Sequence, residues 1–112
     1  PAAPRLTVVL VDTSASMRRP GLWDAAREAV DRALREAESG RVALVTFDRT
    51  AEVRMSFDEW GQAAPGERRD LAAARLATAS PGWAGTDLGG ALAVAGDLLA
   101  ENAEEAAGAG RR

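Results

Sequence analysis

The hydrophobic positions along this chain form continuous apolar runs, an alternating run and runs with helical spacing. Valine-rich continuous runs at residues 6–11 and 41–47 predict two strands buried on both faces, as in a parallel sheet. Residues 51–57 alternate apolar and polar side chains, which predicts a third strand with one wet face, at an antiparallel edge. A turn at residues 48–50 connects the second and third strands.

Helical spacing of apolar residues predicts about three helices, with boundaries uncertain by about two to four residues. They cover residues 23–38, 67–78 and 86–107. Loops are expected at 58–66 and 80–85, and residues 108–112 are expected to form a flexible tail. Pro20 precedes the first helix and Gly40 follows it, as is usual at helix ends.

A strand, a helix and a second strand in succession predict an α/β layer fold with right-handed crossovers. The 112 residues suffice for one small domain over residues 1–112, without an internal repeat. In such folds ligands bind beyond the carboxyl ends of the strands. Residues 12–16 follow the first strand, and Asp48 follows the second, so both lie where a ligand is expected.

Composition removes several kinds of chemistry. The chain has no cysteine, histidine or lysine, which excludes thiol nucleophiles, histidine bases and cysteine-ligated zinc. The net charge is −3 and basic residues occur only as short pairs, so we expect no nucleic-acid partner. No apolar run approaches the ~20 residues that span a bilayer, so the chain as given is expected to be soluble.

Asp12, Ser14 and Ser16 place an oxygen-bearing side chain at every second position after the first strand. Mg²⁺ prefers oxygen ligands in near-octahedral geometry and keeps positions for water or an external ligand. The same residue types are also common in turns and at helix caps. Alone, these three residues leave both interpretations open.

A second motif, Gly-Thr-Asp-Leu-Gly-Gly, begins at Gly85 and opens the last helix with Thr86. With the first motif it resembles the von Willebrand factor A domain and its metal-ion-dependent adhesion site, over nearly the whole chain. The resemblance implies a Rossmann-like fold and a protein-interaction module that is not an enzyme. Alternatively, Thr86 is only a helix N-cap and Asp87 a favourable charge in the first helical turn.

The resemblance also implies a role for each site residue. Ser14 and Ser16 would bind the cation directly, Asp12 through a water molecule, and Thr86 directly or through water. The cation is Mg²⁺, with Mn²⁺ or Ca²⁺ as alternatives, and it keeps one position for an Asp or Glu of a partner protein. Neutral hydroxyl ligands leave the cation electron-poor, so an incoming carboxylate is strongly attracted.

One element of the family pattern has no counterpart after Thr86, namely an apolar strand that ends in aspartate. The chain is therefore expected to be a partial domain, truncated to three of the usual six strands, with weakened or absent metal binding. In the family order the first strand is central, so here it would have an unpaired edge. Such an edge invites self-association.

Residues 56–60, 65–68 and 80–86 resemble bacterial Bat-type proteins, a family named for aerotolerance genes. In that family the A domain is tethered to transmembrane helices. The resemblance implies a bacterial, membrane-anchored parent protein, with this domain in a soluble compartment.

Three other functions stay open. The chain resembles, less closely, the A domains that serve as accessory subunits of AAA+ machines such as metal chelatases. A metal-dependent hydrolase of the haloacid dehalogenase type also places an aspartate after its first strand, but it needs a second carboxylate where Ser14 stands. The last alternative is a structural remnant with an empty site.

The tryptophans and Met17 also admit two interpretations each. Trp60 either contacts a partner or covers the edge strand, and Trp83 either borders the binding surface or fills space under a loop. Trp23 is expected to pack in the first helix. Met17 is expected in the core, although it directly follows the last serine of the motif.

Overall fold

The fold is a three-stranded mixed sheet covered by helices, and the computed structural model describes residues 5–37 and 39–110. The strands are β1 (Leu6–Asp12), β2 (Arg41–Phe47) and β3 (Ala51–Met55). The α-helices are α1 (Leu22–Glu36), α2 (Phe57–Gln62), α3 (Arg68–Leu76) and α4 (Leu88–Gly110). Two short 3₁₀ segments lie at Ala15–Arg18 and Pro65–Glu67.

β2 is the central strand of the sheet, which has the order β1-β2-β3. It pairs with β1 in parallel and with β3 in antiparallel orientation. Residues 42–47 of β2 are all buried, while residues 6–10 of β1 are only half-buried because β1 lies at an edge. The predicted α/β fold with two parallel strands and an antiparallel edge strand is therefore confirmed, but only β2 is buried on both faces.

The register of β1 determines which of its backbone groups are unpaired. Arg41 N–H donates to the Arg5 carbonyl and Thr13 N–H to the Phe47 carbonyl, at 2.8 Å each. Since backbone groups alternate sides along a strand, the odd-numbered residues of β1 bond to β2. The even-numbered residues, Val8 among them, point their N–H and C=O groups toward the other edge of β1, called the open edge because no strand of the described residues pairs with it.

Helices cover both faces of the sheet, as a buried parallel strand requires. On one face Val11, Leu44 and Met55 pack with residues of α1, α2 and α3, including the fully buried Trp60. The other face of β2 presents Ala43 and Val45 on the side of α4, whose Ala91 and Ala95 are buried. Small alanines allow the helix to approach the sheet closely.

α2 lies where the sequence predicts the last residue of a strand and then a loop, so that prediction is wrong. Ser56 begins the helix with a capping box: its Oγ accepts from Glu59 N–H at 3.1 Å, and Glu59 Oε1 accepts from Ser56 N–H at 3.2 Å. Trp60 is fully buried, and its indole N–H donates to the Gly40 carbonyl at 3.0 Å. Trp60 is thus a core residue and not a partner contact.

The other helices agree with the predicted positions within a few residues. α4 starts two residues later than predicted and continues to Gly110, past the predicted end at residue 107. Residues 108–110 of the predicted tail therefore have helical backbone, and residues 111–112 lie outside the described residues. Within the described residues, none of the helices combines the length and hydrophobicity needed to cross a membrane.

Glu59 should make stability depend on pH. Its pKa is lowered from 4.5 by the hydrogen bond from Ser56 N–H and then by Arg75, which lies 2.5 Å away. A lowered pKa stabilises the fold at neutral pH, and that contribution is lost as pH falls through the folded-state value, below 4.5. We expect Glu59→Gln to unfold more easily at pH 7, by about 0.5 kcal/mol, in urea titrations.

The difference between Glu59→Gln and the parent chain should vanish in the same titrations as pH falls below 4.5. Glu28→Gln, on the exposed side of α1, is the control and should change stability little at either pH. A difference that persists at acid pH would contradict this account.

The alternation along β1 predicts opposite outcomes for two proline substitutions. Thr7→Pro removes an N–H that bonds to β2, so it should destabilise the fold by about 3 kcal/mol or more. Val8→Pro removes an N–H at the open edge, where proline is tolerated, and should cost only ~1 kcal/mol through altered packing. Urea unfolding measures both, and equal losses would show that the register is wrong.

Candidate metal centre

The carboxyl ends of β1 and β2 lie side by side, and Thr13 fixes the loop that leaves β1 there. Thr13 is buried, and both its N–H and its Oγ1 hydroxyl donate to the Phe47 carbonyl, at 2.8 and 3.0 Å. The chain after β1 is therefore held against the end of β2 before it turns into the 3₁₀ segment.

Asp12, Ser14 and Ser16 meet in this loop. Asp12 Oδ1 accepts from Ser14 N–H at 2.7 Å, and the Ser14 and Ser16 hydroxyls are hydrogen-bonded to each other, with their oxygens 3.1 Å apart. Ser14 is 3% exposed, whereas Ser16 is exposed to solvent. The turn role considered for Asp12 is present, but Ser14 makes no side-chain cap on the 3₁₀ segment.

The loop before α4 is bonded to the same place. Gly82 N–H donates to the Thr13 carbonyl and Ala15 N–H donates to the Ala84 carbonyl, at 2.9 Å each. Asp87 N–H donates to the Asp48 carbonyl at 2.7 Å. Thr86 lies between these bonded positions, so the fold brings all four predicted residues to one edge of the sheet.

Asp87, and not Thr86, is the N-cap of α4. Its Oδ1 accepts from Gly90 N–H at 2.9 Å, the bond that a capping side chain makes to the third helical residue. Thr86 is exposed, and no hydrogen bond within the described residues uses its hydroxyl. The N-cap alternative for Thr86 is therefore wrong. Asp48 is a turn residue as expected, with Oδ1 accepting from Thr50 N–H at 3.1 Å.

The serine pair fits the geometry of a Mg²⁺ ion. In an octahedron with metal–oxygen distances of about 2.1 Å, neighbouring oxygens lie about 3 Å apart, close to the 3.1 Å between the two hydroxyls. Within the described residues, no group of three or more Asp, Glu, His or Cys side chains could hold an ion. A cation here would depend on neutral hydroxyls and one carboxylate.

Arg18 and Trp83 form a contact beside this site that the sequence does not predict, since 65 positions separate them. The Arg18 guanidinium lies 3.8 Å from the centroid of the Trp83 ring, and its Nη1 donates to the Pro81 carbonyl at 2.9 Å. Trp83 is 79% exposed, so it borders the surface and does not fill space under the loop. Met17 is half-buried and lines a groove next to this contact.

The fold and the loops at its carboxyl edge define an α/β domain with a hydroxyl-lined strand end. The sequence model of the von Willebrand factor type A domain family matches residues 7–110, so this chain belongs to that family. None of the curated proteins matches it. Domains of this family generally mediate protein interactions.

Proposed function

We propose that this chain binds a partner protein through a divalent cation held at Asp12, Ser14, Ser16 and Thr86. The observation that carries the proposal is the 3.1 Å separation of the Ser14 and Ser16 hydroxyl oxygens, which suits neighbouring positions around Mg²⁺. Mn²⁺ and Ca²⁺ have the same preference for oxygen and are alternatives.

The chemistry of the site favours binding over catalysis. When bound, the cation supplies a positive charge that attracts a carboxylate, and a site with three neutral hydroxyls and the single carboxylate of Asp12 leaves part of that charge uncompensated. The partner would therefore present an Asp or Glu. Ser14 stands where a hydrolase of the dehalogenase type needs a carboxylate, so we do not propose hydrolysis. A Bat-type, membrane-anchored bacterial parent and an AAA+ partner stay predictions.

Thermal unfolding with added Mg²⁺ or Mn²⁺ tests the proposal. A ligand that binds only the folded state raises its stability, and each kcal/mol raises Tm by about 4–8 °C for a domain of this size. We expect this rise in Tm in the unsubstituted 112-residue chain and its loss in Ser14→Ala/Ser16→Ala. Ser39→Ala/Ser80→Ala replaces two exposed serines outside the site and is the matched control.

Thr86→Ala separates a metal role from a structural one. Because the Thr86 hydroxyl makes no hydrogen bond within the described residues, the variant should keep its stability without metal within about 0.5 kcal/mol. It should nevertheless gain less from Mg²⁺ than the parent chain. An equal metal response in the parent chain and the serine double variant, or no response in either, would overturn the proposed function.

We also propose that the chain self-associates through the open edge of β1. Within the described residues, no strand pairs with the N–H and C=O groups of the even-numbered residues of β1. This supports self-association, because an exposed strand edge can pair with another chain. Analytical ultracentrifugation should show a concentration-dependent dimer in the parent chain and its loss in Val8→Pro. Val53→Lys, at an exposed position of β3, is the control and should leave the dimer intact. A monomer at all concentrations would contradict this proposal.

A further inference from the structure

The four residues Arg18, Arg19, Pro81 and Trp83, here called the Arg-Trp surface, lie next to the candidate metal centre. Arg18 and Arg19 follow Ser16 by two and three positions, and Trp83 stands three positions before Thr86. The bonds between Thr13 and Gly82 and between Ala15 and Ala84 hold the two segments together. The Arg-Trp surface therefore shares its supporting loops with the site.

The Arg18 side chain is held against Trp83 before any ligand binds. The guanidinium is stacked on the indole ring and hydrogen-bonded to the Pro81 carbonyl, which limits the conformations of a long side chain. Trp and Arg are the residues most enriched among those that dominate binding energies. Trp83 is 79% exposed, so most of its apolar surface contributes no hydrophobic stabilisation until a ligand covers it.

A groove of about 370 Å³ adjoins Arg18 and Arg19. Its apolar lining comes from Met17, Pro20 and Trp23. Asp24 also lines it, but this carboxylate forms an ion pair with Arg27. Arg18 and Arg19 thus line a groove of mixed polarity beside its apolar residues, and within the described residues neither forms an ion pair with an acidic side chain.

We infer that the Arg-Trp surface and its groove bind the partner segment beside the carboxylate at the metal. The segment is acidic: an apolar side chain next to that carboxylate enters the groove, and a second carboxylate meets Arg18 and Arg19. Charge complementarity supports an acidic occupant, since Arg18 and Arg19 line the groove and follow Ser16 by only two and three positions. This inference rests on the proposed function and specifies the partner's chemistry.

Two fluorescent peptides test it, one a glycine heptapeptide with a central aspartate, the other with leucine and glutamate after that aspartate. Fluorescence anisotropy with Mg²⁺ measures their affinities for the 112-residue chain. We expect the leucine-glutamate peptide to bind about tenfold more tightly, because it adds an apolar side chain and a charge pair. Both peptides should require Mg²⁺ and fail with Ser14→Ala/Ser16→Ala.

Trp83→Ala and Arg18→Ala each remove one side chain of the Arg-Trp surface and leave the candidate metal residues unchanged. Each should reduce the advantage of the leucine-glutamate peptide from about tenfold to about threefold, because the residues that line the rest of the groove stay in place, while the single-aspartate peptide binds as before. Arg32→Ala, an exposed position on α1, is the matched control and should preserve the advantage. The magnesium response of thermal stability should be unchanged in all three variants.

The outcomes separate this inference from the proposed function. Equal affinities of the two peptides, or an advantage that is undiminished in both Trp83→Ala and Arg18→Ala, overturn the inference while magnesium-dependent binding stands. Binding that needs Arg18 and Trp83 but not Mg²⁺ or the serines overturns the proposed function and supports the Arg-Trp surface. Tighter competition by a single-stranded oligothymidylate than by the acidic peptide overturns the choice of a protein partner.

Discussion

The burial of β2 on both faces is the constraint on which the rest of this structure depends. Six consecutive residues of this strand are buried, so each of its faces must be covered by helices. Pairing β2 in parallel with β1 requires a crossover, and α1 supplies it. Both strands then end at the same edge, which is why two loops far apart in sequence become neighbours there.

At that edge, aspartate side chains form hydrogen bonds with the backbone of their own loops. Asp12, Asp48 and Asp87 each direct one carboxylate oxygen to an N–H two or three residues further along. These bonds shape the loops around the Ser14 and Ser16 hydroxyls before any ligand arrives. Preorganisation of this kind lowers the ordering cost of binding. Under the proposed function, the hydroxyl pair would select the cation, since the described residues hold no acidic cluster.

Elements that produce a continuous hydrophobic pattern were predicted from the sequence. Elements that depend on contacts between distant residues were not. β1 and β2 follow from valine-rich runs and β3 from an alternating run, and Asp12, Ser14 and Ser16 stand at the end of the first of these runs. α2 was missed because six residues are too few to show a repeating helical pattern of apolar positions. Its stability comes from the Ser56 capping box and the buried Trp60. The stack of Arg18 on Trp83 has no local signal at all.

Two backbone hydrogen bonds, from Gly82 N–H to the Thr13 carbonyl and from Ala15 N–H to the Ala84 carbonyl, affect how the domain opens. These bonds close a loop of the chain that runs from the end of β1 to the segment before α4, here called the ring. The loop after β1 and the loop before α4 therefore cannot separate without breaking both bonds, so amide hydrogens of Ala15 and Gly82 belong to one opening unit. A ligand that bridges the two loops would slow hydrogen exchange at both amides together, which makes this ring a reporter of occupancy.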